Sequence, residues 1–208
     1  MSGASWSPRV KVCGIRTLED GLLAAEAGVD AVGFNFVPTS PRYVHPAEAA
    51  RISRALPRTI WKVGVFVDTP RERIEEIARV VSLDALQFHG NEPLEALRGW
   101  SVPVIRAVRV RHTRDVEEAL ASGADFVLAD TYFPASAGGT GRTFDWSLLE
   151  SVDRSRLFVA GGLDPENVVA LVRRLRPYGV DVASGVEKAP GVKDPEKLRR
   201  FVRNAKAA

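Results

Sequence analysis

The chain has 208 residues, 45% of them apolar and 26% charged, which suits one globular domain or a compact closed barrel and is too short for two full domains. No run free of charged residues exceeds 11, which excludes a membrane-spanning helix, and a net charge of +3 with no basic run argues against a nucleic-acid surface. A single cysteine excludes an internal disulfide framework and a cysteine-cluster metal site.

Residues 1–9 read as an N-terminal extension without the apolar core of a secretory signal, so a soluble, cytoplasmic protein is the expectation. The first short apolar run follows at 10–13. Thr17 then opens a predicted helix over 17–27, with Asp20 three residues on as in a capping box and Gly28 where a C-terminal cap belongs. An apolar run at 31–36 leads to a helix over 46–56 that begins with a proline, and a run at 61–67 leads to another over 70–80. Run 85–88 is followed by a weak helical pattern at 92–97. Run 104–108 precedes a clear helix at 113–122, and run 126–130 precedes a weak one at 145–149. Runs 157–160 and 180–183 precede helices at 164–175 and 194–205.

Most of the eight apolar runs are rich in β-branched or aromatic residues, as strands buried on both faces require. Eight alternations of strand and helix predict an α/β fold of one (β/α)8 TIM barrel spanning 1–208. A doubly wound open sheet is the alternative, but the GxGxxG phosphate fingerprint is missing after the first run.

In such a barrel the chemistry sits where strands run into the following loops. Cys13 ends the first strand, and period-two alternation puts Lys11 on the same face, where an ammonium would lower the thiol pKa. A thiolate can act as nucleophile or base; a lone cysteine is otherwise a small buried hydrophobe. Asp130 ends the sixth strand after four apolar residues, a setting that would raise its pKa toward that of a general acid; a structural ion pair with Lys11 or an arginine is the competing role. Arg42 follows the second strand and suits a carboxylate, although one arginine among 23 carries little weight alone. Gln87 and His89 share one strand face, and Asp68 and Asp181 lie near strand ends, where lining and catalysis are not separable. His45, His89 and His112 lack metal-ligand spacing. Glycine clusters at 138–141 and at Gly161-Gly162, with Ser184-Gly185, let backbone N–H groups converge on one anion, and loops after strands seven and eight commonly bind phosphate in this fold.

Taken together, Lys11-Val12-Cys13-Gly14-Ile15, Gln87-Phe88-His89-Gly90, Gly138-Gly139-Thr140-Gly141 with Phe144-Asp145-Trp146, Ala160-Gly161-Gly162-Leu163 and 181–187 resemble phosphoribosylanthranilate isomerase. The resemblance runs from residue 10 to about 205, in order. It implies a TIM barrel of tryptophan biosynthesis that uses no cofactor and no metal. It places the general base on Cys13, the general acid on Asp130 and the anthranilate carboxylate against Arg42. It places phosphate contacts around Gly139, Gly141, Gly161, Gly162, Ser184 and Gly185. Ala183 departs from the family's usual second serine. The partner implied is a small phosphorylated substrate, with no nucleic acid and no membrane, the chain acting as monomer or homodimer. Two related sugar-phosphate barrels, indole-glycerol-phosphate synthase and ProFAR isomerase, want lysine and glutamate or two aspartates instead, and Cys13 argues against both. A silent phosphate-binding protein would need neither Cys13 nor Asp130.

Overall fold

The structure, a computed structural model, describes residues 6–131 and 145–208. Eight strands close into one barrel in chain order: β1 (Arg9–Cys13), β2 (Ala31–Asn35), β3 (Trp61–Phe66), β4 (Ala85–Phe88), β5 (Val104–Val110), β6 (Phe126–Thr131), β7 (Leu157–Val159) and β8 (Gly179–Val182). Every neighbouring pair is parallel, and β8 returns to β1 with Lys11 opposite Asp181. The outer helices among the described residues are α1 (Leu18–Ala27), α2 (Pro46–Ala55), α3 (Arg71–Val81), α4 (Thr113–Leu120), α5 (Val168–Leu175) and α6 (Pro195–Lys206).

The expected alternation is thus present, with differences at its weaker points. The patterns at 92–97 and 145–149 form single 3-10 turns, Leu94–Leu97 and Trp146–Leu149. The helix expected from 164 begins at Val168, because Asp164 Oδ1 takes the Glu166 and Asn167 amides at 2.9 and 2.8 Å and holds that turn outside the helix. Pro70 stands just before α3 and not within it. Thr17 does cap α1, accepting from the Asp20 amide at 3.1 Å, and Gly28 ends it in the left-handed region. A short antiparallel hairpin, β9 (Glu187–Ala189) with β10 (Val192–Lys193), follows a 3-10 turn at Ser184–Val186 and was not foreseen.

Strand alternation divides the apolar side chains into two cores. Residues such as Val10, Val12, Val32, Val127 and Val180 face outward into the layer between sheet and helices. Ala31, Val63, Ala85, Ile105, Leu128 and Phe158 form a smaller cluster with Trp61, Phe126 and Tyr178 packed against it. Phe126 meets Tyr178 at 4.9 Å between ring centroids and Trp61 at 5.9 Å. The same alternation that puts Phe126 and Leu128 in this inner cluster carries Asp130 inward near the C-terminal end of β6. Polar side chains therefore collect above an apolar plug, at the end where the loops enter the helices.

Candidate active site

A cavity of about 270 Å³ opens at that end, and Cys13, Arg42, His89, Asp130, Gly161, Gly162, Asp181 and Ser184 all line it. The alternating strands thus deliver to one chamber residues that are up to 171 positions apart in the chain.

At the end of β1, Lys11 and Cys13 both lean over Gly33 of β2. A Cβ at Gly33 would stand 2.8 Å from Cys13 Sγ and 3.2 Å from Lys11 Nζ, so the missing side chain makes room for both. Lys11 Nζ is wholly buried and lies 3.0 Å from Asp181 Oδ1. Burial opposes the Lys11 charge, but Asp181 and Cys13 more than offset it and hold the ammonium above the ordinary lysine value. Burial also pushes the Asp181 carboxyl up, against the pull of Lys11. Lys11 does pull the Cys13 pKa down as expected, but burial outweighs it and the net direction is upward. Burial pushes the thiol up, and Lys11 and Lys193 offset this only in part, because Asp181 adds a repulsive anion. At neutral pH the resting group is therefore the thiol.

Asp130 is more open than its four apolar predecessors suggest, with 28% of its side chain exposed. Alternation sends two of those predecessors outward, which leaves the carboxyl at the rim of the chamber. Its Oδ1 accepts from the Thr131 amide at 2.7 Å, and its Oδ2 stands 3.3 Å from His89 Nε2. Its partner is thus His89, not Lys11 or an arginine. Gln87 Nε2 in turn lies 3.2 Å from His89 Nδ1, so the face shared by Gln87 and His89 does serve the site.

Arg42 lies at the mouth with its aliphatic stem over Gly14. Its Nε and Nη2 donate to the two Glu187 carboxylate oxygens at 2.8 and 2.7 Å. Lys193 Nζ donates to Glu187 Oε1 at 3.0 Å, to the Cys13 carbonyl at 2.6 Å and to the Ala183 carbonyl at 3.2 Å. Glu187 and Lys193 come from the hairpin. Sequence reading missed both: Lys193 carries no local motif, and Glu187 closes the 181–187 stretch, in which only Asp181, Ala183, Ser184 and Gly185 were singled out.

Gly161 and Gly162 take φ of +78° and +66° at the end of β7, conformations that L side chains rarely adopt. They line the chamber together with Ser184. Gly185 is not part of the lining and packs against the Leu163 carbonyl. Gly139 and Gly141 lie outside the described residues. Asp68 belongs to a neighbouring turn, where its Oδ1 accepts from the Asn91 amide at 2.8 Å. Among the described residues no group of three or more His, Cys, Asp and Glu is placed to hold a metal ion. No helix of the described residues is long and apolar enough to cross a membrane.

Comparison with known proteins bears on this arrangement. Residues 10–204 match the family described as N-(5'-phosphoribosyl)anthranilate (PRA) isomerase. The N-(5'-phosphoribosyl)anthranilate isomerase of Thermotoga maritima is 49% identical over 202 residues, covering 95% of this chain and 98% of its own. That of Myxococcus xanthus is 49% identical over 207 residues, covering 97% of each. A crystal structure of the Thermotoga maritima enzyme superimposes with a TM-score of 0.90 at 47% identity, over 97% of this chain and 100% of that one. A phosphoribosylanthranilate isomerase solved with reduced 1-(o-carboxyphenylamino)-1-deoxyribulose 5-phosphate superimposes with a TM-score of 0.86 at 45% identity, over 97% and 100%.

Proposed function

This chain belongs to the N-(5'-phosphoribosyl)anthranilate isomerase family, and from that premise we propose which of its groups carry the reaction. The enzyme converts N-(5-phosphoribosyl)anthranilate to 1-(2-carboxyphenylamino)-1-deoxyribulose 5-phosphate in tryptophan biosynthesis. One observation carries the assignment of roles: Cys13 and Asp130, from β1 and β6, three strands apart around the closed barrel, line the same chamber.

The chemistry needs an acid and then a base. Asp130 in its protonated form gives its proton to the furanose ring oxygen, the C1–O bond breaks, and the nitrogen lone pair forms an iminium. That cation makes the C2 hydrogen acidic. Cys13 as thiolate removes it, the C2 electron pair neutralises the iminium, and an enolamine results. Tautomerisation to the ketone completes the Amadori rearrangement. The iminium is itself the electron sink. His89 beside Asp130 and Lys11 beside Cys13 supply the local partners for these proton movements. The raised thiol pKa makes thiolate scarce in the resting enzyme, but the thiolate that does form is a stronger base for it.

The phosphate falls to backbone groups around Gly161, Gly162 and Ser184, with Gly139, Gly141 and Gly185 assigned by resemblance alone. Arg42 receives the anthranilate carboxylate. The site in this reading acts within one barrel, in a cytoplasmic enzyme that is monomeric or a homodimer. The Thermotoga maritima relative is described as dimeric, with monomers generated from it, which supports the homodimer as one of these two states.

Turnover of phosphoribosylanthranilate by wild type, Cys13→Ala and Asp130→Asn tests the roles. Each variant is expected to bind the reduced product analogue and lose about 10²–10⁴-fold in kcat. Full activity in either variant removes that residue from the mechanism.

A further inference from the structure

The hairpin after β8 places two buried charges beside the mouth of the chamber, and neither has a part in the proton transfers. Glu187 and Lys193 have side chains 4% and 0% exposed, whereas Arg42 keeps 24%. Such burial is costly unless every charge is met. Here it is met in a row: Lys193 to Glu187 at 3.0 Å, and Glu187 to Arg42 at 2.8 and 2.7 Å. Burial works against the Glu187 carboxylate, but Arg42 and Lys193 overcome it and keep the group an anion.

Two features of this row point away from a mere fold clamp. First, two cations share one carboxylate, so the row carries a surplus positive charge. The surplus emerges at Arg42, the one member that lines the chamber. Second, Glu187 takes the guanidinium through Nε and one Nη2 donor, which fixes the plane of the fork and leaves its other N–H donors for a second planar anion. Lys193 spends its other donors on the carbonyls of Cys13 and Ala183, so the same ammonium ties this row to the ends of β1 and β8.

Resting on the functional reading above, we propose that Glu187 and Lys193 are positioning residues that set Arg42 for the aryl carboxylate and register it against Cys13. The hairpin is then a specificity device. It selects a substrate whose anionic aromatic group sits a set distance from the sugar carbon that loses its proton.

The test compares two inhibitors that differ in one group: reduced 1-(2-carboxyphenylamino)-1-deoxyribulose 5-phosphate and its phenylamino counterpart without the carboxylate. Wild type should prefer the carboxylated ligand. Glu187→Gln keeps the shape and raises the net positive charge, so a purely electrostatic role predicts tighter binding of the carboxylated ligand. Positioning predicts the reverse: about tenfold weaker binding of the carboxylated ligand, with the phenylamino ligand changed less than about twofold. KM for phosphoribosylanthranilate should rise with kcat much less affected. Lys193→Met removes the surplus charge and the tie to Cys13, so it should lose the same discrimination and lower kcat as well. Equal weakening of both ligands in Glu187→Gln, or tighter binding of the carboxylated one, overturns the proposal. A wild-type enzyme inactive on phosphoribosylanthranilate overturns the functional reading instead. If Lys193→Met fails to fold, Glu187→Gln alone decides.

Discussion

Lys11 Nζ and Asp181 Oδ1 stand 3.0 Å apart inside the barrel, opposite each other on adjoining strands and almost fully out of solvent. Two charges so placed stabilise each other far more than either is stabilised by its surroundings. Lys11→Met alone leaves Asp181 as a buried, unpaired anion and is expected to cost about 3–5 kcal/mol. The double replacement Lys11→Met with Asp181→Leu should cost clearly less than the sum of the single changes. Denaturant unfolding of the four proteins gives the coupling, and additive losses would show that the pair is not coupled.

The raised Cys13 pKa makes a prediction of opposite sense to that of a typical activated thiol. A group whose proton is held more tightly stays neutral to higher pH. Alkylation by iodoacetamide should therefore be slow at pH 7 and should climb as pH passes the ordinary thiol value of about 8.5. Rapid alkylation at pH 7 would mean that Lys11 outweighs burial after all.

Gly161 supports Asp130 by having no side chain. A Cβ there would collide with the Thr131 amide and hydroxyl and stand 2.7 Å from Asp130 Oδ1, at a backbone φ of +78°. Gly161→Ala should therefore displace the proposed acid. A shift of about 1 Å at a reacting group costs about 10²-fold in rate. Stability should also fall, by about 1–2 kcal/mol from the left-handed backbone alone. Steady-state kinetics and a thermal melt check both, and an unchanged kcat would dissociate Gly161 from the acid.

At the other end of the barrel, Asp30 ties three segments together. It accepts from the Val10 amide at 2.8 Å and from Arg9 Nη1 at 2.9 Å, and it pairs with Lys206 Nζ at 2.9 Å. Burial would raise its pKa, but these donors outweigh it and lower it below the ordinary value. A carboxylate with a depressed folded-state pKa contributes stability above its unfolded pKa of about 3.9 and loses it as pH falls through the lower, folded value. Asp30→Asn should thus cost about 1–3 kcal/mol at pH 7, and its deficit against wild type should shrink below about pH 4. A constant deficit across pH 2–7 would exclude the charge as its source. Activity should be little changed, since the residue lies far from the chamber.

Much of this was legible in the chain. Eight apolar runs separated by helical patterns specify a closed parallel barrel, because period-two and 3.6-residue spacing are local properties. That architecture in turn nominates strand ends, and so Cys13, Asp130, Gly161-Gly162 and Ser184 could be named before any coordinates. The partners of these residues could not. Whether Asp130 meets Lys11 or His89 depends on barrel stagger, and whether a thiol pKa rises or falls depends on burial competing with charge. Glu187 and Lys193 were invisible for the same reason. Glu187 lies 145 residues from Arg42, and Lys193 lies 180 from Cys13, so only closure of the barrel and folding of the hairpin bring them together. Sequence periodicity decided which residues reach the mouth. The tertiary structure decided which charges meet there, because electrostatic energy depends on separation and burial in space and not on distance along the chain.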